Sequence, residues 1–263
     1  MLIRAGSTPV TRTKNPSLLA WIFYIKRKRY LMKKYRVHNP FKDLTRFELT
    51  LWLVSVIGIT ASAFVSGAEG IINVITSLIG VTALIFIAKG YVFGQALCIG
   101  FCALYAVISL FFSYYGEFIT YACMTLPMAI VSLISWIRHP YKGTKEVEVS
   151  RLTKRKIILI ACLTAVVTVA FYFILKALGT ANLVVSTISI ATSFTAASLT
   201  FFRSPYLALG YATNDVVLIV LWLLAAVENI AYTSMVLCFI LFLANDLYCF
   251  YSWRKMQKRQ ENK

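Results

Sequence analysis

The chain has 263 residues, of which 59% are hydrophobic and 14% are charged, whereas soluble domains carry about a quarter charged residues. Its net charge of +17 would suggest a nucleic-acid partner in a soluble protein, but the Lys and Arg residues lie between long apolar runs. These features exclude an ordinary soluble domain and argue against nucleic-acid binding. The runs do not alternate apolar with polar residues, as the strands of a membrane β-barrel do, so we expect an all-α membrane protein.

Residues 1–48 form a basic segment that Pro9, Pro16 and Pro40 interrupt. Its apolar stretch 18–25 is too short to cross a membrane and precedes four basic residues, so we expect no cleavable signal peptide. We expect the segment on the cytoplasmic side, and two interpretations of it stay open. Either an apolar face lies on the anionic membrane surface, or the segment is a solvated tail.

Eight apolar runs follow, each near the length of about 20 residues that a helix needs to cross the hydrocarbon core. The predicted transmembrane helices are 49–66, 71–88, 91–112, 117–137, 157–178, 183–202, 206–226 and 231–251. A basic tail at 252–263 ends the chain.

The connections between these runs alternate in charge. Those after the first, third, fifth and seventh runs contain no Lys or Arg, whereas the others carry Lys89, the basic residues of 138–156, and Arg203. Cytoplasmic connections carry an excess of Lys and Arg. The alternation therefore predicts a multi-pass protein of the plasma membrane with both termini in the cytoplasm.

Two parts of the membrane region share sequence features. A basic residue precedes an early Tyr in Lys89-Gly90-Tyr91 and again in Arg203-Ser204-Pro205-Tyr206. A Ser-Trp pair closes each part, at Ser135-Trp136 and at Ser252-Trp253. We therefore predict two parallel three-helix repeats joined by a linker helix (3+1+3), with 49–66 as an extra N-terminal helix. The repeats are 71–138 and 184–254, and the linker is 157–178.

Polar residues deep in a membrane helix are costly, so they need a functional or structural reason. The candidate solute-binding residues are Gln95, Tyr105, Tyr211, Asn214, Asp215, Asn245, Asp246 and Tyr248. Amides and carboxyl groups would bind polar groups of a solute, and aromatic rings would stack on a planar heterocycle. The alternative is hydrogen bonding between helices. Because adjacent helical residues point about 100° apart, we expect only one of Asn214 and Asp215 to face a cavity.

The sequence offers no group suited to catalysis or metal binding. Its six cysteines lie inside apolar runs without CxxC spacing, and its two histidines lie in basic connections. We therefore expect no cofactor, no metal and no catalytic residue, and we favour a transporter over a membrane enzyme or scaffold. The expected partners are a small-molecule solute and membrane lipids, and homo-oligomerisation is left open.

Residues 71–256 resemble the PnuC-type facilitators of nicotinamide riboside and related vitamins. The resemblance rests on AKGYVFG at 88–94, YGE at 115–117, LPM at 126–128 and NDLYCFYSW at 245–253. It implies two parallel three-helix units with a linker helix, which agrees with the repeat predicted from the residues.

The resemblance further implies passive uptake of a nucleoside-like vitamin and trapping of the solute by a cytosolic kinase. Our hypothesis is that transport works by rocking of the two units around a site between them. Nicotinamide riboside is the first candidate solute, and thiamine, riboflavin or a deoxynucleoside are the alternatives. Many members of the family have a Trp-x-x-Trp pair before the asparagine of the seventh helix. Here Leu207 and Gly210 occupy those places, and Asn214 follows them.

Overall fold

The computed structural model describes residues 39–66, 70–111, 115–180, 182–228, 230 and 233–262. The chain divides into two compact units, Met1–Thr45 and Arg46–Lys263. In the first unit, the short 3₁₀ helix Pro40–Asp43 follows Asn39, whose side chain accepts a hydrogen bond from the backbone N–H of Phe41. The stretch 18–25, on which the membrane-surface interpretation rests, lies outside the described residues.

Long α-helices form most of the described part of the second unit. They are α1 (Arg46–Ser66), α2 (Gly70–Ala88), α3 (Val92–Phe111), α4 (Tyr115–Arg138), α5 (Lys154–Ala177), α6 (Leu183–Phe201), α7 (Leu207–Glu228) and α8 (Thr233–Glu261). Each overlaps one predicted transmembrane helix. α8 differs most, because it continues to Glu261 through residues predicted as a tail after 251. The stretch 255–261 consists of Lys, Met, Gln, Arg and Glu, which are good helix formers.

The predicted all-α membrane fold is confirmed. Within the described ranges, α3 to α8 are long and apolar enough to cross a membrane, α2 contains the shorter apolar stretch Val74–Ala88, and β-structure is limited to isolated bridges. α5 exposes Ile158, Val166 and Phe173, as expected of a helix that faces lipid. Crossings by α1 and α2 remain predictions.

Paired hydrogen bonds join the predicted repeats at one end of the bundle. We call it the basic end, because Lys89 and Arg203 lie there. Two of these bonds come from indole groups and two from serine hydroxyls: Trp253 Nε1 donates to Ile87 O (2.8 Å), Trp136 Nε1 to Thr200 O (2.9 Å), Ser252 Oγ to Ala88 O (2.7 Å) and Ser135 Oγ to Phe201 O (2.8 Å). We call these four side chains the Ser-Trp clamp. Each pair binds the end of the first helix of the other predicted repeat, which supports the 3+1+3 prediction without establishing it.

The turns beside the clamp also correspond. Gly90 and Arg203 both adopt positive φ angles, of 66° and 53°. Glycine adopts such a conformation without strain, whereas a side-chain residue rarely does. Each of these residues donates its backbone N–H to the carbonyl that also accepts from the clamp tryptophan, at 2.8 Å for Gly90 and 3.0 Å for Arg203.

The C-terminal turns of α8 hold the connection between α4 and α5 against the basic end. Gln260 Oε1 accepts from Val149 N (2.8 Å), and Gln260 Nε2 donates to Val147 O (3.1 Å). Arg259 forms an ion pair with Glu146. Val147 is fully buried and belongs to the same core cluster as the two clamp tryptophans, whose rings lie 5.4 Å apart. The buried side chains of this cluster therefore close the basic end of the bundle, and they leave no opening into its core at this point.

Candidate solute-binding cavity

A cavity of about 510 Å³ lies between helices α2 to α8. Pockets that enclose small molecules commonly measure roughly 300–1,000 Å³. At the end of the bundle opposite the basic end, Gly116, Gly179, Thr180 and Asn182 line it. Its walls continue inward to Ile87 of α2, the residue whose carbonyl accepts from the Ser-Trp clamp. The cavity therefore extends from the opposite end to the neighbourhood of the clamp.

A π-helical segment, Thr120–Thr125, forms part of the cavity wall within α4. Leu126 donates its backbone N–H to Tyr121 O, five residues back, and Pro127 follows without an N–H to donate. π-helical turns inside α-helices are frequent at functional sites. Here the segment contributes Thr120, Tyr121 and Thr125 to the lining. In the sequence, Pro127 marks this part of α4 as an irregular helix.

Aromatic rings form one wall of the cavity. Tyr105 and Tyr121 have ring centroids 4.3 Å apart, and Phe101 lies 5.8 Å from Tyr105 and 6.1 Å from Tyr121. The Tyr105 hydroxyl donates to Glu117 Oε2 at 2.8 Å, which fixes this ring beside a carboxyl group. Tyr211 and Trp222, which belong to α7, also line the cavity. Tyr105 and Tyr211 were predicted as solute-binding residues, whereas Glu117 was missed.

Asn214 is held in place by α6. Its Oδ1 accepts hydrogen bonds from Ser189 (3.2 Å), Thr192 (2.8 Å) and Ser193 (2.9 Å), and the residue is 7% exposed. Three hydroxyl donors on one amide oxygen fix the plane of the amide. Asn214 lines the cavity, so the amide is rigidly presented at its wall.

Both Asn214 and Asp215 line the cavity, which corrects the expectation that only one of them would face it. The lining residues of α7 form a broad helical stripe of Tyr211, Asn214, Asp215, Leu218, Leu221, Trp222 and Ala225. A stripe more than about 100° wide includes adjacent positions. Asp215 is 5% exposed and its Oδ2 has no hydrogen-bond partner among the described residues. Asp246 of α8 is 3% exposed, lines the cavity, and lies close enough to interact with Asp215.

Three predicted residues lie outside the cavity lining. Gln95 is buried on α3 one turn before Cys98, which does line the cavity. Asn245 Nδ2 donates to Ser55 Oγ and to the Leu241 carbonyl, both at 2.8 Å, so its amide joins α8 to α1.

Tyr248 likewise serves the contact with α1, because its hydroxyl donates to Glu48 Oε1 at 2.9 Å. Lys89 Nζ donates to both oxygens of the same carboxylate, at 3.1 and 3.0 Å. Within the described ranges, no group of three or more His, Cys, Asp or Glu side chains could hold a metal ion.

Membrane-length helices that enclose a solute-sized cavity with rigid polar and aromatic walls are typical of a small-molecule transporter. Comparison with known proteins identifies the kind of transporter. The sequence pattern of the family described as "Nicotinamide mononucleotide transporter" matches residues 70–255. The chain belongs to this family. It is therefore a multi-pass membrane transporter, as the resemblance predicted, and not an enzyme or a scaffold.

Two relatives agree with this placement. The nicotinamide riboside transporter PnuC of Neisseria mucosa is 27% identical over 225 residues, which cover 83% of this chain and 85% of that protein. A solved structure described as the vitamin B3 transporter PnuC matches with a TM-score of 0.68 and 24% identity, covering 82% of this chain and 94% of the other. The likeness of the two structures supports the fold.

The structure explains one departure from the family pattern. A Cβ atom added at Gly210 would lie 3.0 Å from the Cα and 3.1 Å from the Cβ of Ala196, so α7 packs directly on α6 there. A tryptophan has no room at this position. Leu207, at the other departing position, is fully buried in the core cluster of the basic end. The closely spaced rings of Phe101, Tyr105 and Tyr121 come instead from α3 and α4.

Proposed function

We propose that this chain carries nicotinamide riboside or a related nucleoside-like vitamin across the plasma membrane. The observation that supports the proposal best is the pair Asn214 and Asp215 on the wall of the 510 Å³ cavity. A buried polar group in a membrane helix is costly unless it has a partner, and Oδ2 of Asp215 has none among the described residues. The relative from Neisseria mucosa is a nicotinamide riboside transporter, which favours this solute over others.

The side chains divide into two roles. Hydroxyl groups of α6 occupy the Oδ1 atom of Asn214, so its Nδ2 donors are left to bind a carboxamide or hydroxyl oxygen of the solute. Tyr105 and Tyr121 provide ring faces on which a heterocycle stacks. Gln95, Asn245 and Tyr248 act on helix packing in this proposal rather than on the solute.

Transport requires the cavity to face each side of the membrane in turn. Connections of the opposite end line the cavity, whereas the Ser-Trp clamp and the cluster around it close the basic end. The charge alternation predicts that the basic end is cytoplasmic. Rocking of the two predicted repeats would break the clamp and release the solute there. This cycle needs no second substrate, so uptake would be passive. A cytosolic kinase would then trap the solute.

Uptake of labelled nicotinamide riboside in cells that lack their own carrier tests the proposal. We expect Asn214→Ala and Asp215→Ala each to lower uptake at least about tenfold, because each removes a buried polar contact with the solute. Thr213→Ala is the matched control, since Thr213 lies on the same turn of α7 but is exposed and bonds to its own helix at Leu209 O. Wild-type uptake in both cavity variants, at equal protein levels, would refute the site.

Thiamine, riboflavin and deoxynucleosides are the alternative solutes, and the loss of the family's tryptophan pair at 207 and 210 is the observation that favours testing them. A thermal-shift panel on the purified protein separates the candidates. A compound that binds only the folded protein stabilises it by mass action, so the solute is the compound that raises Tm in proportion to the logarithm of its concentration.

A further inference from the structure

The cavity contains carboxyl groups and, among the described residues that line it, no Lys, Arg or His. The carboxyl groups are Glu117, Asp215 and Asp246. This composition is unusual for a chain with a net charge of +17 and only ten acidic residues. Carboxyl groups are placed in the part of the molecule where a charge costs most, and the abundant cations are kept out of it.

The three carboxyl groups differ in their partners. Glu117 accepts a hydrogen bond from Tyr105. Asp215 is nearly fully buried, yet among the described residues its Oδ2 has no hydrogen-bond partner. Asp246, its neighbour on α8, is another carboxyl group, and the two repel each other when both are ionised. A positive charge beside this pair would relieve the repulsion.

The basic residues near the cavity have other partners. Lys89 donates to both oxygens of Glu48. Arg203 donates to Ser135 Oγ (2.6 Å) and to the Glu148 carbonyl (3.2 Å) at the basic end. Neither residue lines the cavity, so the protein does not supply the missing charge from these side chains.

We propose that Asp215 and Asp246 together form the binding site for a positive charge on a heteroaromatic solute, so that the transporter selects cationic solutes over neutral ones of the same shape. The inference rests on the proposed function and deepens it, because the pyridinium ring of nicotinamide riboside carries such a charge. Tyr105 and Tyr121 add cation–π attraction from their ring faces. A ribose hydroxyl would also satisfy Oδ2 of Asp215, but it would give no preference for charge.

The test compares two ligands that differ in charge and share their sugar and carboxamide. These are nicotinamide riboside, a cation, and its dihydro form, which is neutral. Binding is measured on the purified full-length protein by calorimetry. We expect the wild type to bind the cation at least about tenfold more tightly, and Asp215→Asn and Asp246→Asn to reduce this preference to less than about threefold. Glu261→Gln, which removes an exposed carboxylate paired with Arg151, should keep the wild-type preference.

Several results would overturn the inference. If the wild type binds both ribosides equally, the protein is a nucleoside carrier that does not select its solutes by charge. If both aspartate variants keep the wild-type preference for the cation, then either another group selects the charge or the two aspartates share a proton and do not attract the cation. Neutral-riboside binding that increases with sodium concentration would make the pair a sodium site instead.

A second pair of ligands, cationic thiamine and its neutral derivative thiochrome, separates this inference from the choice of solute. A wild type that ignores both ribosides but prefers thiamine over thiochrome would refute the proposed solute and support charge selection. A wild type that binds neither pair would overturn both. The wild-type comparison needs no variant, so the inference stays testable even if an aspartate variant does not fold.

Discussion

Replacing Trp136 by Phe tests whether the Ser-Trp clamp keeps the basic end closed. Trp136 is fully buried, and its indole N–H donates to Thr200 O. The substitution keeps an aromatic ring against Trp253 but removes this hydrogen bond and part of the ring. The Thr200 carbonyl keeps its bond from Arg203 N, so no buried acceptor is left without a partner.

The magnitude follows from these two losses. One hydrogen bond contributes about 1 kcal/mol. The space left by the smaller ring adds about 1–2 kcal/mol, since the site is fully packed. If the clamp exists only in the closed state, the total of about 2–3 kcal/mol raises the population of the open state by about 30- to 150-fold.

Labelling of Cys249 by a maleimide measures this population. Cys249 belongs to the core cluster of the basic end, is fully buried, and lies on α8 rather than on the substituted helix. In a variant that retains Cys249 alone, the labelling rate is proportional to the open fraction when opening and closing are fast. We expect the rate to rise by the factor above in Trp136→Phe.

Trp52→Phe is the control for that measurement. It also removes an indole hydrogen bond, from Trp52 Nε1 to Thr82 Oγ1 at 3.1 Å, but its ring packs in a separate core cluster. Its labelling rate should stay near that of the parent. A Trp136→Phe protein that elutes as a monodisperse particle and labels at the parent rate would refute the role of the clamp in closing the basic end.

Other predictions concern stability and the fit of the solute. Lys89→Met should destabilise the protein by about 3–5 kcal/mol in denaturant unfolding, because it removes the ion pair between Lys89 and the buried carboxylate of Glu48, and Glu48→Gln in the same chain should restore part of the loss. Gly210→Ala should cost about 1–3 kcal/mol by the same measurement, because its Cβ would lie 3.0 Å from the backbone of α6, and wild-type stability would contradict this packing. Ser193→Ala should change solute affinity less than about threefold, because the Oδ1 atom of Asn214 keeps two hydroxyl donors, and a larger loss would place the serine itself on the solute.

The positions of the helices could be read from the sequence because the bilayer sets their length. Apolar runs of about 20 residues have few other interpretations. α8 exceeded its predicted end at 251 because hydropathy marks where a helix leaves the membrane, not where it stops. Helix formers continue to Glu261, and Gln260 then binds the neighbouring connection.

The cavity was predictable only in part, because one helical sequence does not show which neighbour each face meets. Asn214 and Asn245 are both deep asparagines on helices of the second predicted repeat. The first lines the cavity, whereas the second bonds to Ser55, 190 residues earlier in the chain. The π-helical segment of α4 was not predictable in the same way, because the ordinary period of 3.6 residues does not apply to it.

The distribution of charge joins topology to solute selection. Membrane insertion places Lys and Arg on one side of the bundle, and the connections on the other side contain none of them, apart from the exposed Lys176 at the end of α5. A cationic solute that arrives at the opposite end therefore meets little repulsion before it reaches Asp215 and Asp246. On the way out, the basic end would slow the release of a cation, because Lys and Arg repel it. This repulsion changes the rate of release only, since a passive carrier leaves the final distribution of the solute to the concentrations and the voltage across the membrane.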